Sequence, residues 1–79
     1  MAQKRFNTTT EIALNEGTLS VNIIPEVGVT FNVSYWTGFA WFPDDSNPQT
    51  GAVNAAVQCT KIKVEPIGGY VAVVGKGDF

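Results

Sequence analysis

The chain has 79 residues, enough for one domain at most, and a net charge of −2 that argues against nucleic acid, which calls for a basic patch. Only 15% of its residues are charged, against about 25% in an ordinary soluble domain, so part of its surface is expected to lie against a partner. With no histidine and a single cysteine, Cys59, it can form neither an internal disulfide nor a structural zinc site. A domain this small buries only about 60% of the surface its unfolded chain exposes. Oligomerisation or docking onto a larger assembly is the staple that remains.

In chain order, "MAQKRFNTTT" carries no apolar h-region, so no signal peptide is expected, and no apolar run approaches the length of a membrane span. Residues 1–10 are polar and predict an extended N-terminal arm with Phe6 as its one large apolar residue, followed by a single β-domain over 11–79. Thr10 to Asn15 is the best helical candidate, too short to stand alone, and Gly17 breaks it. Period-two alternation then takes over. "TLSVNII" puts Leu19, Val21 and Ile23 on one face, and "VTFNVSYW" does the same with Val29, Phe31, Val33 and Tyr35. The Pro25–Gly28 turn between them predicts an antiparallel hairpin. Thr37-Gly38 predicts the next turn, "FAWF" a short strand, and Pro43 to Gly51 a loop. Ala52 to Val57 fits helix or strand equally. Ile62 and Val64 alternate with Lys61, Lys63 and Glu65, and "PIGG" turns the chain into "YVAVV". That last strand is apolar on both faces, which predicts burial on both: it sits centrally in a sandwich or touches a partner. Six to seven short strands at this spacing predict an all-β fold, a small antiparallel β-sandwich or barrel.

The residues offer little for catalysis. General acid–base chemistry needs positioned titratable groups, and the adjacent Asp44 and Asp45 diverge in an extended chain. Cys59 has no histidine to activate it and reads as a small buried hydrophobe. "DDSN" does not follow the EF-hand spacing, and an Asx-rich turn accounts for it. Lys61 and Lys63 fit a solvated sheet face better than phosphate contacts. A non-enzymatic protein without metal or cofactor is expected. The aromatics are the sharper signal: Tyr35, Trp36, Phe39, Trp41 and Phe42 fall within eight residues. Alternation places Tyr35, Phe39 and Trp41 on one face, with Trp36 and Phe42 on the other. One face fills the core, and the other is left for a partner or for a sugar.

The stretches "GVTFNVSYWTGFAWFPDD" and "TKIKVEPIGGYVAVVGKG" resemble short all-β structural proteins of tailed bacteriophages, over roughly Val29 to Gly77. In those proteins a strand pair carrying W-(T/S)-G is followed by a G-G-Y turn and an apolar final strand. The matching residues here are Trp36, Thr37, Gly38, Gly68, Gly69 and Tyr70. The resemblance implies a capsid decoration (cement) protein that binds the major capsid protein on the outer surface of the virion, after synthesis in the host cytoplasm. A head-fibre or tail component is the related possibility. It further implies a homo-oligomer, often a trimer, with no catalytic residues, no nucleic acid and no membrane among its partners. Phe6 in the arm and Tyr35, Trp36, Phe39, Trp41 and Phe42 are the expected partner-binding residues. A carbohydrate-binding or adhesion module using Trp36 and Trp41 is the alternative from a different functional class.

Overall fold

The computed structural model describes residues 2–14, 20–55 and 59–76. They form eight strands and no helix: β1 (Ala2–Phe6), β2 (Thr10–Ala13), β3 (Ser20–Pro25), β4 (Thr30–Trp36), β5 (Trp41–Pro43), β6 (Val53–Ala55), β7 (Lys61–Ile67) and β8 (Val71–Lys76). Two four-stranded antiparallel sheets result, in the orders β1-β8-β3-β6 and β2-β7-β4-β5. First pairs with last, second with seventh, third with sixth and fourth with fifth. The chain is therefore one long antiparallel ribbon rolled up so that β3 meets β8 and β4 meets β7. This is the strand order of a jelly roll.

Alternation decides which residues enter the core. Val21 and Ile23 of β3, Phe31 and Val33 of β4, Ile62 and Val64 of β7, and Val71 and Val73 of β8 are fully buried, with Ile12 of β2. They form one cluster drawn from both sheets, which packs the sheets face to face. Each fully buried side chain of this kind contributes about 1.5–3 kcal/mol relative to exposure. β7 and β8 each lie inside their sheets, flanked on both sides. Leu19, residues 56–57 of the stretch that fitted helix or strand, and the tail 77–79 lie outside the described residues. Val53–Ala55 of that same stretch is strand.

Several expectations are corrected. The strands number eight, not six or seven. The helical candidate at Thr10 is strand β2, because pairing with β7 satisfies its backbone and Ile12 is drawn into the core. A segment of that length has no helical stability of its own to resist this. The expected β3–β4 hairpin does not form: β3 belongs to one sheet and β4 to the other. Its Pro/Gly turn, closed by the Val29 N–H donating to the Glu26 carbonyl at 3.0 Å, is a corner between sheets. Ile67 to Tyr70 makes a second such corner beside it, and the Glu26 N–H donates to the Tyr70 carbonyl at 3.1 Å. The two corners pack so closely that a Cβ on Gly69 would sit 2.6 Å from Val29 Cγ2, which only glycine avoids.

The N-terminal stretch is extended, and Ala2–Phe6 enters the sheet as edge strand β1, paired with β8 along its length. Phe6 packs against the core of its own chain. Lys4 stands opposite the buried Val73, a charge on the inner side of an edge strand. Such a charge discourages pairing with further chains.

Candidate functional site

The β4–β5 hairpin carries the aromatic residues. Trp36 stands directly opposite Trp41, Tyr35 opposite Phe42, and Ser34 opposite Pro43. Directly opposed residues share a face. The two tryptophans therefore lie together on the outer face of the sheet, and Tyr35 and Phe42 lie together on the core side. This corrects the expected grouping of Tyr35, Phe39 and Trp41 against Trp36 and Phe42. The cause is the turn: residues between Trp36 and Trp41 leave the strand, so alternation does not carry through it.

In that turn the Thr37 N–H and hydroxyl both donate to the Ala40 carbonyl at 3.1 Å, and the Thr37 hydroxyl accepts from the Ala40 N–H at 3.2 Å. Gly38 takes a φ of +94°, a value that favours glycine. Phe39 is left at the tip, 92% exposed, on neither face of the sheet. Phe42 lies at the sheet edge and is 57% exposed despite its core-side position. The six expected partner-binding residues thus divide. Phe39 and Phe42 are open to solvent, Trp36 and Trp41 are half-buried on the outer face, and Tyr35 and Phe6 pack against the core.

Tyr35 is tied down further by its hydroxyl, which donates to Asp44 Oδ2 at 2.9 Å. Burial, reinforced by this bond, pushes the Tyr35 phenol up to about 12. Asp44 Oδ1 accepts the Ser46 N–H at 2.8 Å. That bond and then the Tyr35 hydroxyl hold the Asp44 carboxyl below its ordinary value. Both oxygens of Asp44 are engaged in holding the loop.

The loop after β5, expected only to turn the chain, also closes the edge of β4. Asn47 Oδ1 accepts the Val33 N–H at 3.1 Å while Asn47 Nδ2 donates to the Val33 carbonyl at 3.0 Å. Its side-chain amide thus stands in for a paired strand residue. Gln49 exchanges backbone bonds with Phe31 two residues away, at 2.6 and 3.2 Å.

On the outer face the cross-strand registers make a grid. One row runs Glu11, Lys63, Ser34, Pro43 across β2, β7, β4 and β5. The row on one side holds Ala13 opposite Lys61 and Trp36 opposite Trp41, and the row on the other pairs Glu65 with Asn32. The tryptophan rings lie 5.2 Å apart, tilted at 57°. Lys61 Nζ sits 4.7 Å from the Trp36 ring centre, and Lys63 Nζ sits 4.7 Å from that of Trp41. These lysines were expected on a solvated face, and their second role as cations over aromatic rings is missed by alternation alone, because it depends on which strands pair. Beside them lies an open depression of about 380 Å³, lined by Asn32, Ser34, Pro43, Asn47, Lys63 and Glu65.

Among the described residues, no three His, Cys, Asp or Glu side chains gather as metal ligands, and no helix is long and apolar enough to cross a membrane. Cys59 is half-buried against the core, its thiol donating to the Lys61 carbonyl at 3.3 Å. No family model matches the chain, and neither the curated proteins nor the solved structures contain a match to it.

Proposed function

We propose that this chain is a non-enzymatic structural protein of a virion, a decoration protein that binds the major capsid protein on the outer surface of a phage shell and stabilises it. The observation that carries the reading is the β4–β5 hairpin, which presents Phe39 and Phe42 to solvent on a rigid, loop-buttressed edge. Exposed aromatics on a fixed scaffold are the usual anchors of protein interfaces. The resemblance of the sequence to short phage structural proteins supplies the kind of partner. Jelly rolls serve viral capsids and lectins alike, so strand order is compatible with this reading without selecting it. The same proposal has the chain fold as a β-sandwich that self-associates, as a trimer or another homo-oligomer.

The mechanism is mass action: a protein that binds only the assembled shell stabilises that shell. Phe39 and Phe42 make the contact, while Tyr35 and Phe6 hold the scaffold. The test is protein mass spectrometry of purified particles, followed by thermal melting of shells with the chain present and stripped. The chain is expected in fixed stoichiometry, and shells carrying it should melt at higher temperature. Absence from the particles, or identical melting, overturns the reading.

A further inference from the structure

The outer face of the β2-β7-β4-β5 sheet holds groups that docking through the exposed hairpin leaves unused. Lys61 and Lys63 hold their cations over Trp36 and Trp41, and among the described residues no carboxylate comes within 4.0 Å of either ammonium. Lys63 also lines the adjoining depression. Its volume of about 380 Å³ falls within the range of small-molecule sites, roughly 300–1,000 Å³. Two kinds of group line that depression at neighbouring positions of β7: Lys63 offers ammonium donors, and Glu65, two residues on along the same face, offers carboxylate acceptors, with Oε1 already receiving the Asn32 amide at 3.0 Å. Ser34 lies across from Lys63 on β4, and Asn32 lies across from Glu65.

We propose that this depression is a binding site for an acidic monosaccharide unit, a sugar ring bearing a carboxylate. The carboxylate meets Lys63, with Lys61 behind it. Ring hydroxyls donate to Glu65 and exchange hydrogen bonds with Ser34. The apolar edge of the ring rests on Pro43 and the neighbouring Trp41, which suit a ligand with one apolar side and many polar groups. An acidic peptide fits less well. It brings no row of hydroxyl donors for Glu65. A neutral sugar brings no carboxylate to the Lys63 ammonium. The site stands apart from the docking reading, because Phe39 and Phe42 take no part in it.

Trp36 and Trp41 are the only tryptophans in the chain, so intrinsic fluorescence reports on this face alone. The experiment titrates the intact protein with glucuronate, N-acetylneuraminate, glucose, acetate and a short glutamate peptide. Amide chemical shifts are followed in parallel. A saturable emission change with an acidic sugar is expected, together with shifts at Asn32, Ser34 and Lys63. Neither glucose nor acetate should reproduce it. Lys63→Gln is expected to weaken the acidic sugar by about tenfold, the loss of one charge-assisted bond. Glu65→Gln should weaken it less, and Lys4→Gln, on the other sheet, not at all. Far-UV circular dichroism checks that each variant is folded. No response to either acidic sugar, an equal response to acetate or glucose, or tighter binding of the peptide would overturn the assignment. None of these outcomes bears on whether the chain is found in virions.

Discussion

Among the described residues, two places set a cation over an aromatic ring, and they differ in what else the cation does. On one sheet, the Arg5 guanidinium lies 3.8 Å from the centre of the Tyr70 ring and also grips Glu26, with Nε donating at 2.6 Å and Nη2 at 3.3 Å. Its charge is paired, with two of its five N–H donors on Glu26, and the cluster ties edge strand β1 to the corner after β3. The Arg5 bond holds the Glu26 carboxyl below its ordinary value, and Glu26 in turn raises Arg5. On the other sheet, Lys61 and Lys63 sit over Trp36 and Trp41, and among the described residues no carboxylate comes within 4.0 Å of either ammonium. The first arrangement is closed and structural. The second puts ammonium donors on an outward face with no carboxylate bonded to them among the described residues, which leaves them open to bind something else.

Both clusters depend on one core, so the largest effect comes from breaking it. Phe31→Ala removes the largest fully buried side chain and is expected to cost about 3–5 kcal/mol, dissolving both clusters together. Chemical denaturation followed by tryptophan emission checks this. Next comes the edge of the sheet that carries the open cluster. Asn47→Ala strips Val33 of a partner for its N–H and is expected to cost about 1–3 kcal/mol. Asn47→Asp keeps the acceptor but loses the donor to the Val33 carbonyl, so it should fall between wild type and Asn47→Ala.

Tyr35→Phe should cost about 1 kcal/mol, the loss of a part-buried hydrogen bond to a carboxylate. The same pair sets a pH dependence. Tyr35 binds its proton more tightly folded than unfolded, so its contribution is intact below pH 10 and is lost as pH rises from 10 towards about 12. Asp44 is displaced the other way. Its contribution is present above the ordinary carboxylate range and is lost as pH falls through its lowered folded value. Melting curves across pH should show Tyr35→Phe removing the alkaline loss; persistence of that loss would assign it elsewhere. The smallest effects separate the clusters themselves. Arg5→Ala should lower the melting temperature measurably but by less than Tyr35→Phe, because the ion pair is exposed. Lys63→Gln should leave the melting temperature within error. If Lys63→Gln destabilises more than Arg5→Ala, the contrast between a closed and an open cluster fails.

Much of the interior was legible in alternation. Val21 with Ile23, Phe31 with Val33, Ile62 with Val64 and Val71 with Val73 all lie where a period of two puts them. Pairing was not legible, because it is decided by partners far along the chain. A Pro/Gly turn serves a hairpin or a corner between sheets, and only the meeting of β3 with β8 settles which. The tryptophan pair was hidden by the same limit: Trp36 and Trp41 share a face through register, after a turn that interrupts the count. Asn47 was invisible for another reason, since its side chain does work that backbone patterns assign to a strand.

Two fully exposed tips lie at opposite ends of β4, Val27 after β3 and Phe39 before β5, and only the second belongs to the proposed docking edge. Hydroxyl-radical footprinting of the protein, free and on purified virions, compares them directly. Phe39 and Phe42 are expected to be protected on the particle while Val27 stays as reactive as in the free chain. Protection of Val27 with Phe39 and Phe42 still reactive would contradict that docking.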